Sequence, residues 1–167
     1  MKAILLTMYF CIVLRGTLSQ FVNEDTDTEI DVLPISRVPP GYIEHGGKYY
    51  KLYTDRKTWE EALAACESDG ADLAVIDSRE EALYVKSLIG WSSFLEYPGV
   101  WIGFRDLGNR DWKTVGRHSE SLDNTGYNTW WPRSAKLIGG CGTIKTCSRY
   151  DARDCTQLLK FICKYEI

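Results

Sequence analysis

Histidine is almost absent from this chain: His45 and His118 are the only two among 167 residues. No His-Glu-x-x-His helix, Gly-x-Ser-x-Gly elbow or phosphate-binding loop occurs, so the patterns that carry metal-assisted hydrolysis, acyl transfer and phosphoryl transfer are missing. No Cys-x-x-Cys pair offers zinc two closely spaced thiolates, and both histidines lie away from the cysteines. No stretch reaches the roughly eighteen consecutive apolar residues of a membrane helix. No Asn-x-Ser/Thr acceptor is present, so N-glycosylation is not expected. Catalysis, a structural metal and a membrane span are therefore not expected. Aromatic residues, by contrast, are plentiful (six Trp, ten Tyr, five Phe), as suits one packed domain with a sizeable core.

The N-terminus has a layout of its own. Lys2 precedes an apolar run from Ala3 to Leu14, and Thr17 and Ser19 fall at the −3 and −1 positions of a cut before Gln20. Residues 1–19 thus read as a secretory signal peptide. Export places the remaining thiols in an oxidising compartment, where they pair. Losing the leader removes Cys11 and leaves Cys66, Cys141, Cys147, Cys155 and Cys163. The set is odd, so at least one is free or bonded to a second chain, and spacing alone does not choose the pairs. Residues 20–40 hold five acidic residues, one basic residue and three prolines, and read as a solvated extension. The body, 41–167, has 17 basic and 18 acidic residues and is nearly neutral.

Within the body two amphipathic helices are predicted. Trp59, Ala62, Leu63 and Cys66 recur at i, i+3, i+4 and i+7, with Thr58 and Glu61 as a capping box and Gly70 as the stop. Ser78 with Glu81 repeats the box ahead of Ala82, Val85 and Ile89, and Gly90 ends that helix. Between them "DLAVI" reads as a short buried strand. "YIEHGGKYYKLY" reads as a hairpin turning at Gly46-Gly47, "VWIGF" as a central strand and "KFICKY" as a closing one. From Asp106 to Cys155 no period is evident, and a long irregular region inside a compact domain is usually functional. "GGCG" (Gly139 to Gly142) opens no predicted helix, so it reads as a strand approach and not a phosphate cradle.

The order of these features resembles the C-type lectin-like domain: a helix carrying Cys66, "GADLAVIDSREEALYVKSLI", "WIGF" followed by Asp106, "TGYNTWW", then Cys141, Cys155 and "FICKY". Within that family it resembles the single-domain secreted lectins of invertebrates. The resemblance implies an α+β fold in which two helices flank antiparallel sheets, the chain ends meet on one side and a long ligand loop lies on the other. It also implies disulfides Cys66–Cys163 and Cys141–Cys155, with Cys147 left unpaired.

In sugar-binding members of that family a loop calcium ion touches the sugar hydroxyls. Calcium wants six to eight oxygens, several of them carboxylates. Here the corresponding positions read Trp131, Pro132, Arg133, Ser134 and Tyr150, Asp151, Ala152. Between Pro132 and Arg153 stand Arg133, Lys136, Lys145, Arg149 and Arg153 against Asp151 alone, five positive charges and one negative, a local +4 that repels a divalent cation. No metal is expected at the usual site. Arg133, Lys136 and Arg149 suit an anionic ligand, and Trp131, Tyr150 and Asp151 complete the candidate ligand loop; Trp130 reads as a core residue. The expected function is secreted, non-catalytic recognition of carbohydrate or of an anionic glycan or lipopolysaccharide in innate immunity. The alternative is a protein-binding effector or inhibitor of the venom or parasite type. Partners would be a glycan, lipopolysaccharide or cell-surface glycoprotein, with a disulfide-linked dimer through Cys147 as a second arrangement.

Overall fold

The computed structural model describes residues 37–90, 99–117, 119–134 and 137–167. The predicted leader, residues 20–36 of the extension, His118 and Lys136 lie outside the described residues. Strands β1 (Ile43–His45) and β2 (Lys48–Lys57) form an antiparallel hairpin. Its two turn residues, Gly46 and Gly47, have φ of 61° and 79°, the left-handed geometry that a two-residue turn of this hand demands. β2 pairs with the last strand, β8 (Leu159–Tyr165), at Tyr49↔Tyr165 and Tyr53↔Phe161, so the N-terminal hairpin and the last strand are neighbours.

The sheet continues from β8 through β4 (Val100–Asp106) and β6 (Cys141–Ile144) to β7 (Tyr150–Arg153). Short strands β3 (Asp72–Leu73) and β5 (Trp112–Thr114) add to β8 and β4. The β4–β8 junction, at Trp101↔Phe161, is parallel, so the sheet is mixed and not wholly antiparallel as expected. Parallel neighbours need a long crossover, which the span between the two strands supplies.

Helix α1 (Trp59–Ser68) has its full capping box: Glu61 N–H donates to Thr58 Oγ1 at 3.3 Å and Thr58 N–H to Glu61 Oε2 at 2.9 Å. Helix α2 (Arg79–Ile89) has only half of one. Glu81 N–H donates to Ser78 Oγ at 3.1 Å, but the Glu81 carboxylate turns inward. It accepts from Tyr50 Oη at 2.7 Å and from Asp77 N–H at 2.8 Å, and Lys164 Nζ lies 3.3 Å away. Burial pushes its carboxyl above the usual carboxylate range.

Strand alternation decides which helix covers which face. Trp101, Phe161 and Cys163 pack with Trp59, Ala62 and Cys66 of α1. Ile102, Phe104 and Ile162 point the other way and pack with Ala82 and Val85 of α2. Gly103 sits between them because the chain crosses close by: a Cβ there would lie 2.1 Å from Leu73 O. Cys66 is bonded to Cys163, 97 residues on, and Cys141 to Cys155, 14 residues on. The first ties α1 to β8; the second fastens β6 to the segment after β7.

The region read as irregular, from Asp106 to Cys155, contains β5, a 3₁₀ turn (Leu122–Asn124), β6 and β7. Strands of three or four residues are too short to show a period. Their composition is set by neighbours instead. A Cβ on Gly142 would meet the Phe104 ring at 2.5 Å, which accounts for a glycine inside a buried strand.

Candidate functional site

The structure separates the sequence-predicted loop residues into two groups. Tyr150 is fully buried, its hydroxyl donating to Ile76 O at 3.1 Å, and burial pushes its pKa well above that of an ordinary tyrosine. Its ring is a floor beneath Tyr127 and Trp130, with centroids at 5.2 and 6.0 Å, and offers no face to a ligand. Asp151 is 4% exposed. Both residues were expected at the ligand surface; the β7 pairing instead turns them into the core. Trp131 is half-buried, its N–H donating to Tyr150 O at 2.7 Å, with Lys145 Nζ 5.9 Å from its ring centre. Arg133 and Arg149 are exposed.

Asp151 decides whether the residues present fit a calcium ion. Its Oδ2 accepts from Arg153 Nη2 at 2.9 Å and from Lys145 Nζ at 3.2 Å, and its Oδ1 accepts from Ala152 N–H at 3.0 Å. Each oxygen is committed, and the two cations beside it repel another. With Arg133 in the other ligand position, this donor set does not fit calcium. Among the described residues, Glu60 lies near the sulfurs of Cys141 and Cys155, but those sulfurs form the disulfide and carry no charge for a metal.

Two concavities flank the loop. The first, of about 250 Å³, is walled by Trp112 and Trp130, whose ring centroids lie 4.9 Å apart, and rimmed by Arg110, Asp111, Asp123 and Asn128. Trp130 Nε1 donates to Asn128 Oδ1 at 2.6 Å, and Asn128 Nδ2 donates to Asp123 Oδ1, so the rim is a connected polar chain. Asn128 and Asp123 are exposed, whereas Trp112 is 9% exposed and its Nε1 has no partner among the described residues. Trp130, half-buried, rests on Phe104 and Tyr150. Planar amide and carboxylate groups beside indole rings can bond adjacent hydroxyls while a ring supports an apolar face. Trp112 and Arg110 went unnoticed in the sequence because β5 is three residues long; Asn128 stands within "TGYNTWW", but nothing in that stretch marks its bond to Asp123.

The second concavity, of about 230 Å³, lies between α2 and the β6–β7 turn and is lined by Arg79, Leu83, Lys86, Thr129, Cys147 and Arg149, among others. Cys147 is an unpaired, half-buried thiol in its wall. Arg79 and Lys86 were missed because a solvated helix face looks the same in sequence whether or not it borders a cleft. No helix among the described residues is long and apolar enough to cross a membrane.

Comparison with known proteins gives a consistent set of likenesses. The family model described as the Lectin C-type domain matches residues 55–165. Regenerating islet-derived protein 3-gamma of Rattus norvegicus is 31% identical over 158 residues, 89% of this chain and 88% of that protein. Snaclec coagulation factor X-activating enzyme light chain 1 of Daboia siamensis is 31% identical over 129 residues, 76% of this chain and 82% of that one. Among solved structures, a calcium-independent type II antifreeze protein superposes with a TM-score of 0.56 at 27% identity, over 77% of this chain and 93% of that chain.

Proposed function

The chain belongs to the C-type lectin domain family, and on that premise we propose that it is a secreted, non-catalytic recognition protein that binds a saccharide without calcium at the family's usual site. The observation that carries the reading is the Trp112–Trp130 concavity, with its Asn128–Asp123 rim and the unpartnered indole N–H of Trp112. Neutral hydroxyls and a sugar's C–H face suit such a lining. The commitment of Asp151 to Lys145 and Arg153 supports calcium independence, as does the likeness to a protein named as calcium-independent. The leader-like N-terminus and the two disulfides support export. A role in innate immunity rests on the family resemblance alone.

The test is a glycan and lipopolysaccharide binding panel on the intact domain, followed by Asn128→Ala and Asp123→Asn. Both substitutions are at exposed positions and should lower affinity for the panel's best neutral saccharide about tenfold, the loss of one or two polar contacts. Unchanged binding would move the saccharide site elsewhere.

A second reading, a protein-binding effector, is favoured by the unpaired Cys147 and by the relative named as a light chain of a larger enzyme. A disulfide-linked dimer or hetero-dimer runs at a larger size on a non-reducing gel than on a reducing one. A single monomer band in both removes that support.

A further inference from the structure

We infer that the cleft between α2 and the β6–β7 turn binds an anionic polysaccharide, a glycan chain carrying sulfate esters. Arg79, Leu83 and Lys86 recur at i, i+4 and i+7, one stripe of α2, and Arg149 faces them from the turn across a cavity of about 230 Å³. Among the described residues no carboxylate lines the cleft, and Arg79, Lys86 and Arg149 make no ion pair. The neighbouring Lys145 and Arg153 differ, since both pair with Asp151. Uncompensated cations on two walls of a concavity concentrate positive potential inside it.

Spacing selects the kind of anion. Seven residues of helix separate Arg79 from Lys86 by about 10.5 Å along the axis, a spacing that suits charges repeated along a chain. Between them Leu83, 48% exposed, offers an apolar patch to the C–H face of a sugar ring. Ser148, in the same wall and 8% exposed, has a hydroxyl without a partner among the described residues. An acidic protein face fits less well, because protein contacts centre on a deep apolar or aromatic anchor. Here Tyr127 is buried, with its hydroxyl donating to Ser148 O. Arginine pairs with sulfate through two parallel N–H bonds, which lysine does not, so Arg79 and Arg149 carry most of the affinity. The site shares no residue with the Trp112–Trp130 concavity and stands whether or not that concavity binds a neutral sugar.

Titration calorimetry with a heparin-derived octasaccharide, its desulfated counterpart, polyglutamate and inorganic sulfate tests the inference on the wild-type chain, on Arg79→Ala/Arg149→Ala and on the control Arg56→Ala. Arg56 is exposed on β2 and removes one charge away from the cleft. The sulfated octasaccharide should bind and weaken with added salt, the double variant should lose at least about tenfold in affinity, and Arg56→Ala should stay within about twofold. No binding of the octasaccharide, an undiminished double variant, equal loss in Arg56→Ala, or binding of polyglutamate or inorganic sulfate as tight as that of the octasaccharide would each overturn it.

Discussion

Arg153 Nη2 lies 2.9 Å from Asp151 Oδ2, and Lys145 Nζ reaches the same oxygen at 3.2 Å. That arrangement places two cations where this family can seat a divalent ion, and it consumes the carboxylate that would hold one. A ligand stabilises a fold only in proportion to its occupancy of the native state. Calcium at millimolar concentration should therefore leave the melting temperature within about 1 °C of its value in chelator. A rise of many degrees, reversed by chelator, would show that the donor set has been misjudged.

The two disulfides should differ in weight. In the chain-entropy account a closed loop of about a hundred residues is worth about 4–5 kcal/mol and one of about fifteen about 3 kcal/mol. Replacing Cys66 and Cys163 by Ala should thus lower the denaturant-unfolding free energy more than replacing Cys141 and Cys155, given separations of 97 and 14 residues. The reverse order would mean that the local fastening of β6 outweighs loop length.

Gly103→Ala should cost about 1–3 kcal/mol or more, the range for forcing an atom into a packed interior. Its Cβ would fall 2.1 Å from Leu73 O, which is main chain held in β3 and cannot step aside as a flexible side chain would. Gly142→Ala meets the Phe104 ring and should cost a comparable amount. Denaturant midpoints within error of wild type would show that β3 and β4 separate easily.

How much of this was legible in the sequence follows from the range of each interaction. The α1 capping box is settled within four residues, Thr58 to Glu61, and was readable. The same signature at Ser78 and Glu81 was only half right, because Glu81 answers to Tyr50 and Lys164, 31 and 83 positions away. Tyr150 and Asp151 were read as loop surface; the β6–β7 pairing that buries them depends on Gly142 and Phe104 and has no local signal. The cationic cleft joins residues 79 and 86 to 149, which only the fold brings together.

Acid should destabilise the domain in part through Asp69. Burial pushes its carboxyl up, but hydrogen bonds from Tyr53 and Tyr42 and the approach of Lys51 at 3.3 Å outweigh burial and hold it below the usual range. A depressed folded pKa contributes stability that is present above the unfolded carboxylate pKa and is lost as pH falls through the folded one. Asp69→Asn should lower stability at neutral pH by about 1–3 kcal/mol and flatten the acid limb. An acid limb of unchanged slope would assign the effect to other carboxylates.

The most direct test of calcium-independent saccharide recognition is the binding panel run twice on the wild-type chain, once with millimolar calcium and once with excess chelator. The account predicts the same positive saccharides at the same affinities in both. Binding that appears only with calcium and vanishes in chelator would contradict it.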